Sequence, residues 1–340
     1  MKRNNGSGWV WGALGAGAAL AALAVTRRGR VYDLRGRVVL ITGGSRGLGL
    51  ELARAFAGEG ARVAICGRDA GTLARAATEL TRRGADVLTV TCDVTDRAQV
   101  EEMVGAVRGH FGRIDVLVNN AGVIAVGPME VMTREDYEEA MAIHFWGPLE
   151  AVLAAVPEMR ARGEGRIVNV SSIGGKLSVP HLLPYSASKF ALVGLSEGLR
   201  AELRKDGVLV TTVCPGLMRT GSPRNATFKG RHRAEYAWFS ISDALPLASM
   251  DAARAAEQIV AACRRGDAEV VLSFPARLAD KVHALMPGLT ADLLGVVNRL
   301  LPAPGGIGTA RAKGSESESA VSPSWLTTLS DQAAARNNEM

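Results

Sequence analysis

Seven short apolar runs limit what this chain can fold into: RVVLIT (37–42), RVAIC (62–66), DVLTVT (86–91), IDVLVN (114–119), GRIVNVS (165–171), GVLVTTVC (207–214) and AEVVLS (268–273). Segments of helical period, such as LGLELARAFAGEG and RAQVEEMVGAVRGHF, lie between them. A strand with one solvated face alternates apolar and polar residues, whereas these runs are apolar nearly throughout, so both faces must be covered. Strands separated by amphipathic helices are joined by crossovers and therefore lie parallel. The pattern predicts a single doubly wound α/β domain with a seven-stranded parallel sheet over residues 31–275. A chain of 340 residues with 47% hydrophobic content has ample material for that core.

Three regions fall outside the alternation. Residues 9–25, WVWGALGAGAALAALAV, are uncharged, with Lys2 and Arg3 before them and Arg27, Arg28 and Arg30 after. As a helix they would span ~26 Å, enough to cross a bilayer core. A signal peptide cleaved near Ala22-Leu23-Ala24 and a buried core helix are competing readings. The heavier arginine cluster on the C-terminal side favours a retained anchor within residues 1–30, with the globular part in the cytoplasm. In residues 276–302, Leu278, Val282, Leu285, Leu289, Leu293, Val297 and Leu300 recur every three or four positions, broken by Pro287. Two amphipathic helices are expected there, lying on a membrane or, more commonly for such helices, packing on protein. Residues 303–340 are rich in Gly, Ser and Ala and read as a disordered tail.

Charge and cysteines exclude several functions. The seven basic side chains of residues 1–37, set against Asp33 alone, account for the whole formal charge of +6. The folded domain is therefore neutral and offers no basic face to a nucleic acid. Cys66, Cys92, Cys214 and Cys263 are widely spaced with no CxxC pair, and the five histidines lack ligand spacing, so buried thiols and no metal site are expected.

The first run leads directly into TGGSRGLG (42–49), which opens the first helix. Glycines there allow a tight turn and close approach of backbone N–H groups, while the helix N-terminus attracts a pyrophosphate. Strand before and helix after are the setting a Rossmann-type dinucleotide loop requires. The second run ends in CGRD, with Gly67 where an acid would bond a ribose 2′-hydroxyl and Arg68 next to it. Arg68 from one side and Arg46 from the other would clamp a 2′-phosphate, so NADP(H) is the expected cofactor. Asp69, which precedes a helical segment, reads as an N-cap rather than a ribose ligand. A reduced nicotinamide cofactor is scarce outside the cell, which also favours the cytoplasmic orientation.

These motifs, taken with four others in order, resemble the short-chain dehydrogenase/reductase family over roughly residues 36–275. CDV (92–94) resembles the segment that holds the adenine, NNAG (119–122) matches the family's letters, YSASK (185–189) fits YxxxK, and PGLMRT (215–220) resembles the stretch along the nicotinamide. The resemblance implies cofactor contacts from Thr42, Gly43, Ser45, Arg46, Gly47, Leu48, Gly49, Arg68, Asp93, Val94, Asn120, Ala121, Gly122, Tyr185, Lys189, Pro215, Gly216 and Thr220. It also implies a catalytic Ser172, Tyr185 and Lys189. Tyr185 and Lys189 share a helix face, so the ammonium is expected to lower the phenol pKa. Tyr185 would then exchange a proton with a carbonyl oxygen that Ser172 holds in place, as hydride passes to or from the cofactor. The family carries asparagine where this chain has His144, and that asparagine helps hold a water relay from the lysine; a neutral imidazole, with one donor and one acceptor, is expected to sustain it, a lost activity and a bulkier ring that merely reshapes the helix being the competing readings.

The reading is thus a membrane-anchored NADPH-dependent oxidoreductase interconverting a carbonyl and a secondary alcohol, and a homo-oligomer like many relatives. Phe228, Tyr236, Trp238 and Phe239, set among Arg224, Lys229, Arg231 and Arg233, suggest a lipid-like substrate with a polar or anionic head, or else a solvated lid packed on the core. His181 either borders that pocket or is structural. Two other classes compete: an NADP(H)-binding regulatory protein without turnover, and a scaffold recruiting partners through residues 276–340.

Overall fold

The computed structural model describes residues 31–244, 249–319, 322 and 327–340. Seven strands form the central sheet: β1 (Val38–Thr42), β2 (Arg62–Gly67), β3 (Val87–Thr91), β4 (Val116–Asn119), β5 (Gly165–Val170), β6 (Val208–Pro215) and β7 (Glu269–Leu272). Their order is β3-β2-β1-β4-β5-β6-β7 and every adjacent pair is parallel. The expected doubly wound architecture is therefore the one the chain adopts. It starts in the middle at β1, runs outward to β3, then returns to β4 on the other side. That reversal opens a crevice beyond the C-terminal ends of β1 and β4, where ligands of open α/β sheets bind.

Helices cover both faces. In chain order they are α1 (Gly47–Gly58), α2 (Ala70–Arg82), α3 (Arg97–Phe111), α4 (Arg134–Met141), α5 (Gly147–Arg162), α6 (Leu183–Leu203), α7 (His232–Ala244) and α8 (Ala252–Arg265). The period of two along β1 divides its side chains between two cores. Val39 and Ile41 join Leu52, Phe56, Leu80 and Ile259 on one face, beneath α1, α2 and α8. Val38 and Leu40 join Val104, Val156, Met159 and Val210 on the other, beneath α3 and α5. All four cysteines are free and buried, and no cluster of metal-ligating side chains occurs among the described residues. Residues 134–162 form the one described helical stretch long and apolar enough for a membrane, but its apolar residues Ala151, Val152, Ala155 and Met159 pack into this core. The apolar segment 9–25 lies outside the described residues.

Beyond the sheet the chain departs from expectation in its C-terminal tail. Helices α9 (Phe274–Leu285) and α10 (Pro287–Asn298) form where the spacing places them, yet α10 buries no residue. Phe274, Leu285 and Leu300 are 77%, 81% and 83% exposed, so the apolar stripe is displayed rather than packed on the domain. Residues 303–319 and 327–340, expected to be disordered, are instead docked. Ala312–Lys313 pairs antiparallel with Thr227–Phe228, Arg311 bridges Asp136 and Glu139 at 2.7 and 2.6 Å, and α11 (Thr328–Arg336) buries Ala333 and Ala334. Small residues fit narrow contacts, and a few specific polar partners order a segment that composition alone reads as unfolded.

Phe56, in the last turn of α1, is fully buried against the sheet. Phe56→Ala should lower the unfolding free energy by about 3–5 kcal/mol in urea titration, and a loss near zero would contradict this packing.

Candidate active site

The turn after β1 is built by close backbone approach. Gly43 and Gly47 have φ of +64° and +56°, and a Cβ on Gly49 would lie 2.0 Å from the Gly43 carbonyl oxygen. Side chains are thereby excluded from the surface that a phosphate would approach, which fits a dinucleotide. The end of β4 fastens the turn from beside it. Asn120 donates through Nδ2 to the Thr42 and Gly43 carbonyls at 3.1 and 3.2 Å, and the Asn120 and Ala121 amides donate to Thr42 Oγ1 at 3.0 and 3.1 Å. Ser45 is buried while Arg46 is exposed, its Nη1 donating to Asn225 Oδ1 at 2.8 Å. Leu48, behind the turn, belongs to the core.

At the end of β2, Asp69 accepts from the Thr72 amide at 2.7 Å and caps α2, as expected. Arg68 is exposed, 4.0 Å from Asp93 Oδ2. Asp93 itself is fixed by the Thr95 amide at 3.0 Å and the Thr95 hydroxyl at 2.8 Å. Val94 packs against the start of α5, where a Cβ on Gly147 would meet the Val94 carbonyl at 2.9 Å. Pro215 ends β6, Gly216 lies close under Ser273, and Thr220 is buried with its hydroxyl donating to Ser222 at 2.7 Å.

The catalytic candidates converge at the mouth of the crevice. Ser172 follows β5 and accepts from the Gly174 amide at 3.0 Å. Tyr185 and Lys189 lie one turn apart on α6, with Nζ 5.7 Å from the phenol ring centre. Lys189 is buried and donates to the Val170 carbonyl at 2.9 Å. The expected lowering of the phenol pKa is not what this environment produces. Burial pushes Tyr185 up to about 12, against a hydrogen bond with Ser172 that lowers it, while burial holds Lys189 down to about 7. Both groups are held toward their neutral forms, because desolvation outweighs the Ser172 hydrogen bond on the phenol and the Cys214 attraction on the lysine.

His144 sits in a π-helical turn, Ala142–Trp146, between α4 and α5, a distortion often found at functional sites. The ring is buried and edge-on to Tyr185, centres 5.4 Å apart. Nε2 accepts from the Val123 amide at 3.2 Å, and Nδ1 lies 2.8 Å from Ser188 Oγ, which donates to the Tyr185 carbonyl. Nδ1 therefore carries the proton. Burial, then the Lys189 charge, pushes His144 well below its ordinary value, so it is neutral. Both ring nitrogens are engaged by protein groups, which leaves none free to hold a water.

Sequence reasoning missed several contributors. Ser188 orients His144, and its position three residues after Tyr185, one helical turn on, was the available signal. A buried chain links Asn119 to Asn169 at 2.9 Å, Asn169 to Ser196 at 3.0 Å and Thr212 to Ser196 at 2.7 Å, tying β4, β5, β6 and α6 together. His181 takes the structural alternative: its Nδ1 is 2.8 Å from Glu235, which also accepts from Trp238 Nε1 at 2.7 Å. Two of the four cations of the substrate segment are neutralised, since Lys229 is buried on Asp136 and Arg224 pairs with Glu318 at 3.1 Å, while Arg231 and Arg233 are exposed. Phe228, Tyr236 and Phe239 pack on one another in a buried cluster.

The sequence pattern of the short chain dehydrogenase family matches residues 37–229. This chain belongs to that family. Dehydrogenase/reductase SDR family member 7B of Bos taurus is 34% identical over 274 residues, covering 78% of this chain and 82% of that protein. A short chain dehydrogenase/reductase from Burkholderia phymatum in complex with NAD superposes with a TM-score of 0.70 at 29% identity, covering 76% and 96% of the two chains. Actinorhodin polyketide ketoreductase with NADPH superposes with a TM-score of 0.63 at 31% identity, covering 70% and 95%. Membership makes this short-chain dehydrogenase an oxidoreductase that binds a nicotinamide dinucleotide and interconverts carbonyl and alcohol groups.

The depressed Lys189 pKa has a thermodynamic consequence. Between about 7 and the ordinary 10.5, the unfolded chain binds a proton that the folded chain does not, so Lys189 makes stability rise with pH across that window. Lys189→Met should flatten the rise, by on the order of 2–4 kcal/mol between pH 7 and 10.5 in denaturant titrations. Identical pH slopes for both proteins would contradict the burial of this lysine.

Proposed function

We propose that this chain is an NADPH-dependent carbonyl reductase acting on an apolar ketone or aldehyde, held at a membrane by residues 1–30 with its catalytic domain in the cytoplasm. The observation that carries the reading is the convergence of the half-buried Tyr185 with Ser172 and Lys189 at the open end of the glycine-rich cradle, with the phenol pushed up to about 12. A phenol of that kind stays protonated at neutral pH. It suits an acid that gives its proton to an oxygen becoming an alkoxide, whose own affinity for a proton is higher still. A bound nicotinamide supplies the hydride. Ser172 hydrogen-bonds the carbonyl oxygen and holds it against the phenol. Lys189, anchored on the Val170 carbonyl one helical turn from Tyr185, would keep the phenol supplied with a proton and would hydrogen-bond the nicotinamide ribose when the cofactor is bound.

His144 acts here as a positioning residue. Its two hydrogen bonds join the loop after β4 to the helix that carries Tyr185, on the side the ring packs against. The preference for NADPH is supported by the end of β2, where the only acid is engaged as a helix cap and two exposed arginines, Arg46 and Arg68, flank the turn. The apolar substrate is supported by Ile124, Val179 and Trp238, which join Tyr185 against the aromatic cluster. Support for an anionic head group narrows to the exposed Arg231 and Arg233, since Lys229 and Arg224 have carboxylate partners. Membrane attachment is supported by the uncharged segment 9–25 and by the apolar stripe of α9 and α10, which also offers a surface for a second copy of the chain.

The test is NADPH oxidation with apolar ketones of increasing size. Tyr185→Phe should lower kcat/KM by roughly 10²–10⁴-fold while NADPH still binds. Replacing Arg46 and Arg68 together by Ala should raise the KM for NADPH by roughly 10²–10⁴-fold and leave NADH unaffected, each of the two lost charge-assisted bonds being worth about 1.5–3 kcal/mol. Equal use of NADH and NADPH by the unaltered protein would contradict the cofactor assignment, and undiminished turnover by Tyr185→Phe the mechanism.

A further inference from the structure

The glycine-rich turn has an occupant within the chain. The Gly47 amide, first of α1, donates to the Asn337 carbonyl at 2.9 Å. Asn338 Nδ2 donates to the Ser45 and Thr72 carbonyls at 2.9 Å each, and Arg75 Nε donates to Asn338 Oδ1 at 2.7 Å. Glu339 Oε2 accepts from the Gly221 amide at 2.5 Å, and its Oε1 lies 3.0 Å from where a Cβ on Gly47 would stand. Arg46 also attracts this carboxylate. Behind the contact, Arg54 donates to Asn337 Oδ1 at 2.7 Å and to the Arg336 carbonyl at 2.9 Å. Gly221 leaves the room required, because a Cβ there would sit 2.6 Å from the Cβ of Glu339.

Residues 337–339 thus span the β1–α1 turn, the start of α2 and the end of the 215–221 segment. Those are the same three elements that frame the proposed dinucleotide site. A pyrophosphate and a carboxylate seek the same things there: an amide at a helix N-terminus, a second backbone N–H and a guanidinium.

We infer that residues 337–339 occupy the pyrophosphate cradle, with the Glu339 carboxylate in place of a phosphate, so that this segment and the dinucleotide compete for one site. The inference rests on the dinucleotide reading above and adds a self-inhibiting contact to it. The segment is tethered, through the pairing of Ala312–Lys313 with Thr227–Phe228 and the packing of α11, so its effective concentration at the site is high. Its grip is nonetheless yielding. Burial pushes the Glu339 carboxyl up to about 7, the Gly221 amide and Arg46 pulling the other way, so the enclosed charge is poorly compensated. A pyrophosphate brings more negative charge and more acceptor oxygens, and displaces it. The apparent dinucleotide affinity is then the intrinsic affinity scaled by the fraction of molecules in which the segment has left.

The experiment compares the full chain with its Asn338→Ala/Glu339→Ala variant, whose altered residues lie outside the catalytic set. NADPH is titrated into each by fluorescence, and hydrogen exchange of residues 328–340 is followed with and without NADPH. Competition predicts that the variant binds NADPH about 10-fold more tightly, a difference of about 1.4 kcal/mol. It also predicts that NADPH accelerates exchange across residues 328–340 of the unaltered chain. Equal or weaker binding by the variant, or exchange that NADPH leaves unchanged or slows, overturns the inference while the cofactor reading stands. Failure of both chains to bind either NADPH or NADH removes the cofactor reading and this inference with it.

Discussion

Removing the Tyr185 hydroxyl and the Lys189 ammonium from water is the constraint on which the rest of the site depends. Desolvation disfavours the charged form of each, so the phenol keeps its proton and the amine is ready to lose one near neutrality. Holding such a pair requires partners supplied by rigid elements. The carbonyl of Val170, at the end of a central strand, receives the lysine, while Ser172 and the edge of His144 fix the phenol. The Asn119–Asn169–Ser196–Thr212 chain ties β4, β5, β6 and α6 together and pairs most of its buried polar atoms, Asn119 Oδ1 being left without a partner.

The same burial explains why His144 is acceptable next to a lysine. An imidazolium there would repel the ammonium, but the enclosed ring is neutral and its donor and acceptor both meet protein groups. A π-helical turn supplies the extra width that lets the ring point inward. Local distortion, not helix propensity, therefore decides what this position contributes.

The sheet was legible because continuous apolar runs separated by amphipathic helices have one common solution, and the glycine turn because only glycine permits its φ values and close contacts. Asp69 was legible as a cap because a short acid before a helical segment satisfies orphan amides. The direction of the Tyr185 shift was not, since spacing shows that Lys189 is near but not how much water both lose. Nor was the docking of residues 303–319 and 327–340. Composition reports how much apolar area a segment can bury, whereas this one is ordered by Arg54, Arg75 and Arg311 reaching it or reaching from it, pairings that no local pattern encodes. The exposed stripe on α9 and α10 shows the converse: periodicity identified an apolar face but could not say what would cover it.

Deuterium transfer tests the central claim most directly. The protein is given NADPH carrying deuterium at the reactive nicotinamide carbon together with an apolar ketone, and the alcohol is analysed by mass spectrometry and NMR. The account predicts one deuterium on the carbinol carbon, from one face of the nicotinamide only, and a hydroxyl proton drawn from solvent by way of Tyr185. Alcohol formed without deuterium at that carbon, or no alcohol from a protein saturated with NADPH, would contradict it.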